Sequence, residues 1–244
     1  MKKPIYDNED FFESYSQMTR SKQGLEGAGE WQTLQQLLPD FKGKQVLDLG
    51  CGYGWHCIYA AENGAEKVVG VDISEKMLAV AREKTKFENV SYLHESIEDA
   101  SFEENQFDVV ISSLAFHYLE SFEEIVKKIQ RYLKPDGQLI FSVEHPIFTA
   151  QGSQNWAYDK EGNIRFFPVD NYFYEGERTA DFLDKQIVKY HSTLTTYLES
   201  LLCNGFRLIH VVEPAPPESM LDLPGMKDEF RRPMMLIISA ENKK

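Results

Sequence analysis

The chain has 244 residues, 42% of them apolar, enough to bury one sizeable core with room for an insertion. Its 26 Lys and Arg stand against 39 Asp and Glu, a formal charge of -13 that repels polyanions over most of the surface and argues against nucleic acid as the main partner. No run is apolar over the length of a bilayer, "MKKPIYDNEDFFES" carries no apolar segment behind its lysines, and Cys51, Cys57 and Cys203 lack metal-ligand spacing, so a cytoplasmic protein without membrane or metal is expected.

A first helix is expected over "GAGEWQTLQQLL", residues 27–38, where Trp31, Leu34, Leu37 and Leu38 recur at helical spacing before Pro39. From residue 44 to residue 144 short apolar runs alternate with helix patterns, the rhythm of an α/β, doubly wound parallel sheet with helices on both faces. The strands are expected at 44–49, 67–72, 90–94, 107–113 and 137–144, each nearly continuously apolar as buried parallel strands are. Ser74 and Ser121 are N-cap residues for the helices "SEKMLAVAREKTK" and "SFEEIVKKIQRYL", and Glu124 completes a capping box in the second. Past Glu144 the rhythm breaks. Residues 145–191 are dense in aromatic and turn residues without a clear period, and they are expected to form an inserted substrate cap rather than further sheet. A helix over 192–204 then leads through Gly205 to strands at 206–214 and 234–240, with a long loop between them. The expected organisation is a single domain: an N-terminal cover (1–43), a cofactor-binding core (44–144), the cap (145–191) and a closing helix with two strands (192–244).

The stretch "VLDLGCGYGWH", residues 46–56, runs a strand into three glycines. Such turns commonly hold phosphate at a helix N-terminus. A P-loop is excluded because no Gly-Lys-Ser/Thr follows at its spacing. The dinucleotide fingerprint fails too, since its last glycine would fall on Trp55 counted from Gly50, or on Cys57 counted from Gly52. Asp48 within the turn is a poor neighbour for phosphate and a good one for an ammonium or sulfonium. Asp72 ends the next strand, where an acid accepts hydrogen bonds from ribose hydroxyls. The ligand implied is a ribonucleoside that carries positive charge and no phosphate.

With "GVDISEKMLAVA", "FDVVISSLAFHYLESFEE" and "LKPDGQLIFSVEHP", this turn resembles the class I S-adenosylmethionine-dependent methyltransferases, particularly the small-molecule type of the methyltransferase type 11 kind. The resemblance runs from about Val46 to Val143. It implies a seven-stranded sheet of order 3-2-1-4-5-7-6 with the seventh strand antiparallel, and S-adenosyl-L-methionine as cofactor. It further implies that Asp48, Gly50, Cys51, Gly52 and Gly54 surround the methionine part, that Asp72 binds the ribose, and that Ile73 and Met77 sandwich the adenine. The pair near the adenine amine corresponds to Ser96 and Ile97, with Glu98 as an alternative acid. Ser113 and Leu114 would lie near the transferred methyl, and Tyr15 and Arg20 would reach the cofactor carboxylate from the N-terminal cover.

Methyl transfer from a sulfonium is a direct displacement that needs alignment and dryness, with a general base optional. His117 and His145, at the ends of the fourth and fifth strands, are the candidate helpers near neutral pKa. Tyr190 and His191 fall at the mouth of the last long helix, and Phe148, Trp156, Phe166, Phe167, Tyr172, Phe173 and Tyr174 are candidates for an acceptor pocket wall. Arg178, Arg231 and Arg232 are candidate counter-charges for an anionic acceptor. The expected function is methylation of a small molecule whose identity the residues leave open. Its alternatives are a cofactor-binding protein without transfer activity, a protein or RNA methyltransferase, and an NAD-linked oxidoreductase.

Overall fold

The computed structural model describes residues 4–244; the first three residues of the expected N-terminal cover lie outside the described residues. In chain order the elements are α1 (Glu9–Ser16), α2 (Thr19–Gln23), α3 (Trp31–Leu37), β1 (Gln45–Leu49), α4 (Trp55–Glu62), β2 (Lys67–Asp72), α5 (Glu75–Lys84), β3 (Val90–His94), β4 (Phe107–Ser113), α6 (Phe122–Tyr132) and β5 (Leu133–Glu144). They continue with α7 (Pro146–Thr149), β6 (Ala157–Tyr158), β7 (Ile164–Phe166), β8 (Gly176–Phe182), β9 (Lys185–His191), α8 (Leu194–Cys203), β10 (Phe206–Val212) and β11 (Met235–Asn242).

Seven strands form one sheet in the order β3-β2-β1-β4-β5-β11-β10. The first five pair in parallel, and β11 runs antiparallel to both β5 and β10. The expected topology is therefore the observed one. Alternate side chains along each strand face opposite sides, so the sheet carries two cores. Leu47, Val69, Val110 and Phe141 pack with Phe122, Ile125 and Ile129 of α6 and Leu201 of α8. Val46, Val68, Val109 and Ile140 pack on the other side with Trp31, Leu34 and Ala60 of α3 and α4. Helix α6 presents Phe122, Ile125, Val126 and Ile129 as one buried stripe, and both expected caps form, Ser74 accepting from the Met77 N–H and Ser121 from that of Glu124. Among the described residues, no helix is long and apolar enough to cross a membrane.

Three expectations need correction. The first long helix starts at Trp31, four residues late, because Gly24–Gly27 coils into a 3-10 turn in which a side chain on Gly27 would strike the Thr19 carbonyl. Strand β5 begins at Leu133, whose pairing with Phe107 is followed by an irregularity around Asp136, a residue at φ 59°. The cap contains sheet after all, in the form of two antiparallel hairpins, β6 with β7 and β8 with β9. The turn of the second hairpin is Leu183-Asp184, both at positive φ, a two-residue hairpin turn written without the usual Asn-Gly or Asp-Gly pair. The inward positions of β9 are Ile187, Lys189 and His191, so an alternating strand pattern is disguised by a buried lysine and histidine.

The N-terminal segment and this hairpin support each other. Phe11 packs with Ala180 and Ile187, and Lys185 meets Asp10 at 3.4 Å. Asp7 Oδ1 accepts from Ser74 Oγ at 2.6 Å and from the Lys76 N–H at 3.3 Å, which ties the strap to the start of α5.

Candidate active site

A cavity of about 370 Å³ opens at the carboxyl ends of β1, β2 and β4, where the chain order reverses across the sheet. Its floor is the glycine turn after β1, which Gly50 and Cys51 anchor by donating both N–H groups to the Val71 carbonyl at 2.8 and 2.9 Å. Gly50 has φ 77°, and a methyl there would lie 2.4 Å from Ala115 Cβ, so protein packing demands the bare backbone. Gly52 has φ 52° but meets nothing within 4 Å on its open side. That glycine leaves room for a ligand rather than for protein.

Asp72 ends β2 with one oxygen accepting from the Gly52 N–H and the other from the Ser74 N–H, both at 2.8 Å. Burial raises its pKa, and those two donors partly offset the rise. Ile73, Met77 and Ile97 supply apolar walls beside it, with Ser96 and Glu98 on the same side. Ser113 and Leu114 line the middle of the cavity. Leu114 is held at φ 53°, a strained conformation for leucine, by its N–H donating to the Ser142 carbonyl at 2.9 Å and to Ser142 Oγ at 3.1 Å.

Tyr15 and Arg20 reach the cavity from the N-terminal segment, as expected. Arg20 pairs with Glu30 at 2.9 Å, and Glu30 also lies 3.3 Å from Ser113 Oγ. Burial opposes the Glu30 carboxylate, yet Arg20 overrides it and holds its pKa below the ordinary value. A smaller cavity of about 70 Å³ continues past Arg20, Gly50 and Gly52 and includes Cys51 and Trp55.

Asp48, Gly54 and His145 stand outside both cavities. Asp48 points beneath the turn, 3.3 Å from Cys57 Sγ, and burial pushes its carboxyl up to about 7, so near neutral pH it carries only part of a full negative charge. Gly54 is needed against the protein, because a methyl there would collide with the Tyr92 hydroxyl. His145 caps α7, its Nδ1 accepting from the Ile147 N–H at 3.0 Å while Nε2 lies 2.8 Å from Glu213. His117 does line the cavity, but burial depresses its pKa to about 4 rather than leaving it near neutrality.

The far end of the cavity holds groups that sequence reasoning missed. Tyr6 and Tyr118 bring their hydroxyls within 3.1 Å of each other. Glu144 and Lys189 form an ion pair at 2.5 Å, with Gln154 donating to Glu144 at 2.7 Å and accepting from Lys189 at 3.1 Å. Burial works against the Glu144 carboxylate, but the charge and hydrogen bond of Lys189 and the hydrogen bond of Gln154 help hold its pKa below the ordinary value. Phe182, Met234 and Met235 add apolar surface. Only the period-2 spacing of Ile187, Lys189 and His191 could have signalled that Lys189 faces inward.

The aromatic wall expected of the cap is elsewhere. Phe173 and Tyr174 are 88% and 75% exposed, while Phe148, Trp156 and Phe167 surround the Arg232 guanidinium. The three arginines are likewise occupied: Arg178 donates to the backbone carbonyls of Ala150, Asn171, Tyr174 and Glu177, Arg231 pairs with Asp228, and Arg232 with Glu229. His191 braces the cap, bonded to Thr149 Oγ1 at 2.7 Å and to the Tyr172 carbonyl at 2.9 Å.

The family model described as a methyltransferase domain matches residues 47–141. A crystal structure from Listeria monocytogenes, of a candidate S-adenosylmethionine-dependent methyltransferase, is 54% identical, covers 91% of this chain and all of that one, and superposes with a TM-score of 0.87. One of an S-adenosylmethionine-dependent methyltransferase from Mesorhizobium loti is 40% identical over 90% of this chain and all of that one, with a TM-score of 0.83. An uncharacterised protein of Haemophilus influenzae is 35% identical over 97% of this chain and 96% of its own length.

Proposed function

This chain belongs to the class I S-adenosylmethionine-dependent methyltransferases and takes S-adenosylmethionine as cofactor; we propose that it moves the methyl group to a small-molecule acceptor enclosed between the sheet edge, the N-terminal strap and the cap. When bound, the cofactor supplies an electrophilic methyl on a sulfonium, open to in-line displacement by a lone pair.

The residues of the cavity suit that group. Gly52 gives a cradle that any Cβ would fill, Asp72 offers a carboxylate to two ribose hydroxyls, and Ile73, Met77 and Ile97 clamp a flat base. Arg20 matches the amino-acid carboxylate, with Tyr15 beside it. Ser113 and Leu114 lie between this half and the acceptor half, where His117 positions the acceptor. His117 is neutral at physiological pH, which suits hydrogen bonding better than proton storage. The strap and cap exclude water and hold the acceptor in line, the two tasks that displacement asks of a protein. Residues 1–43 act as the cover, 44–144 as the cofactor core, 145–191 as the acceptor cap and 192–244 as the closing helix and strands.

The observation that carries this reading is the open face of Gly52 beside the Asp72 carboxylate at the sheet's switch point. Calorimetric titration with S-adenosylmethionine, S-adenosylhomocysteine and NAD tests it. Binding of the first two without the third is expected, and Asp72→Ala weakens that binding by about 1–3 kcal/mol through unpaired ribose hydroxyls. Unchanged affinity removes Asp72 from the site. Release of S-adenosylhomocysteine in the presence of a small-molecule pool separates an enzyme from a binding protein.

A further inference from the structure

Resting on that reading of the cavity, we propose that the acceptor is an oxygen-centred anion, a carboxylate or ionised phenol on an apolar body, and that His117, Lys189 and the Tyr6–Tyr118 pair recognise it as hydrogen-bond donors.

This end of the cavity presents free hydrogen-bond donors. His117 Nδ1 accepts from the Glu144 N–H at 3.4 Å, so the proton of the neutral ring resides on Nε2. Nε2 has no partner among the described residues, and the ring borders the cavity, which leaves an N–H donor and no lone pair on offer. Tyr6 and Tyr118 share one hydrogen bond, and whichever hydroxyl donates, the other keeps a proton for a third group. Lys189 has three N–H donors, of which Glu144 and Gln154 take two. The Lys189 ammonium also lies 5.4 Å from the centre of the Phe182 ring, which borders the cavity with it. Glu144 accepts from Lys189 with one oxygen and from Gln154 with the other, and the Lys189 ammonium already balances its charge. An ammonium acceptor would meet the Lys189 ammonium and an acid whose charge that lysine already balances, whereas an oxyanion finds donors from three directions.

The chemistry favours the same charge. A lone pair of the acceptor oxygen forms the O–CH3 bond as the C–S bond breaks and leaves its electrons on sulfur, so an anion and a sulfonium become two neutral products without any proton transfer. Loss of charge is helped by surroundings of low polarity, and Leu119, Phe182, Met234 and Met235 provide them. A neutral His117 is then no handicap, since no base is needed.

The test uses the full chain and two probes of similar size, acetate and ethylammonium. S-Adenosylhomocysteine is titrated first by calorimetry; the complex is then followed by proton–nitrogen correlation NMR of the His117 imidazole as each probe is added. The expected result is an Nε2–H tautomer whose signal moves saturably with acetate and stays still with ethylammonium. Lys189→Met should weaken the acetate response about tenfold. Because that variant strands Glu144 without its cation, Glu144→Gln/Lys189→Met is measured beside it, with the same weakening expected. An Nδ1–H tautomer, or an ethylammonium response equal to that of acetate, overturns the oxyanion subsite while cofactor binding stands. No binding of S-adenosylhomocysteine overturns the methyltransferase reading and the subsite with it.

Discussion

The two ends of the cavity are built by different means. At the sheet edge the turn and its acid are fixed by backbone: the Gly50, Cys51, Gly52 and Ser74 N–H groups hold the turn and the Asp72 carboxylate, and buried strands hold them in place. Under the cap the contacts run between side chains brought from distant places, Tyr6 to Tyr118 and Glu144 to Lys189. A backbone-built end leaves few choices of residue and suits a ligand that does not vary. An end built from side chains on a strap and a hairpin can change with its acceptor without disturbing the sheet.

The sharpest way to break this contrast is Gly50→Ala. A Cβ at φ 77° and 2.4 Å from Ala115 costs on the order of 3 kcal/mol, so a thermal melt should fall by roughly 6–12 °C and cofactor binding should be lost in calorimetry. A variant with unaltered melting would show the turn to be adaptable and the contrast to be empty.

A second variant tests the core by pH. The Asp48 carboxyl titrates at about 7 in the folded chain, above its ordinary value of 3.8, so between those pH values the folded state holds a proton that the unfolded state has lost. Its contribution to stability is complete below the lower value and lost as pH rises through the upper one. Relative to wild type, Asp48→Asn should therefore gain stability on going from acid to pH 8, by about 4 kcal/mol in urea unfolding. A constant difference at all pH values would mean that Asp48 is ionised when folded.

In the cap half the effects should be smaller and confined to the acceptor side. Tyr6→Phe removes the partly buried bond to Tyr118 and should cost about 1 kcal/mol in unfolding, with cofactor affinity unchanged within about twofold. A large loss of cofactor affinity would instead tie the strap to the cofactor end. Phe173→Ser, at a side chain 88% exposed, should alter stability by less than about 0.5 kcal/mol and leave binding alone. If binding changes, the exposed aromatic loop takes part in the site after all.

Much of the cofactor end was legible from residues 46–114 because its determinants are local. Glycines after a strand, an acid at the end of the next strand and apolar runs of strand length each read directly, and Gly50, Gly52, Asp72, Ile73, Met77, Ser113 and Leu114 all border the cavity. Asp48 does not border the cavity, because sequence places it two residues from the first glycine without showing that its side chain turns under the strand toward Cys57. His145 lies outside the cavity for a related reason: a strand end faces the cavity only if the chain does not turn at once into a helix that the residue itself caps.

Alternation of apolar runs and helix patterns determined the doubly wound sheet and the position of the glycine turn, since both depend on periodicity and steric rules that act over a few residues, while the strand order came from the family resemblance. The tertiary structure decided the acceptor end. Tyr6, Tyr118, Glu144 and Lys189 are separated by up to 183 positions in the chain, and burial fixes their charge and protonation only once the strap and the hairpin close over the sheet. Pairing and desolvation of that kind depend on neighbours in space, which no local pattern of residues encodes.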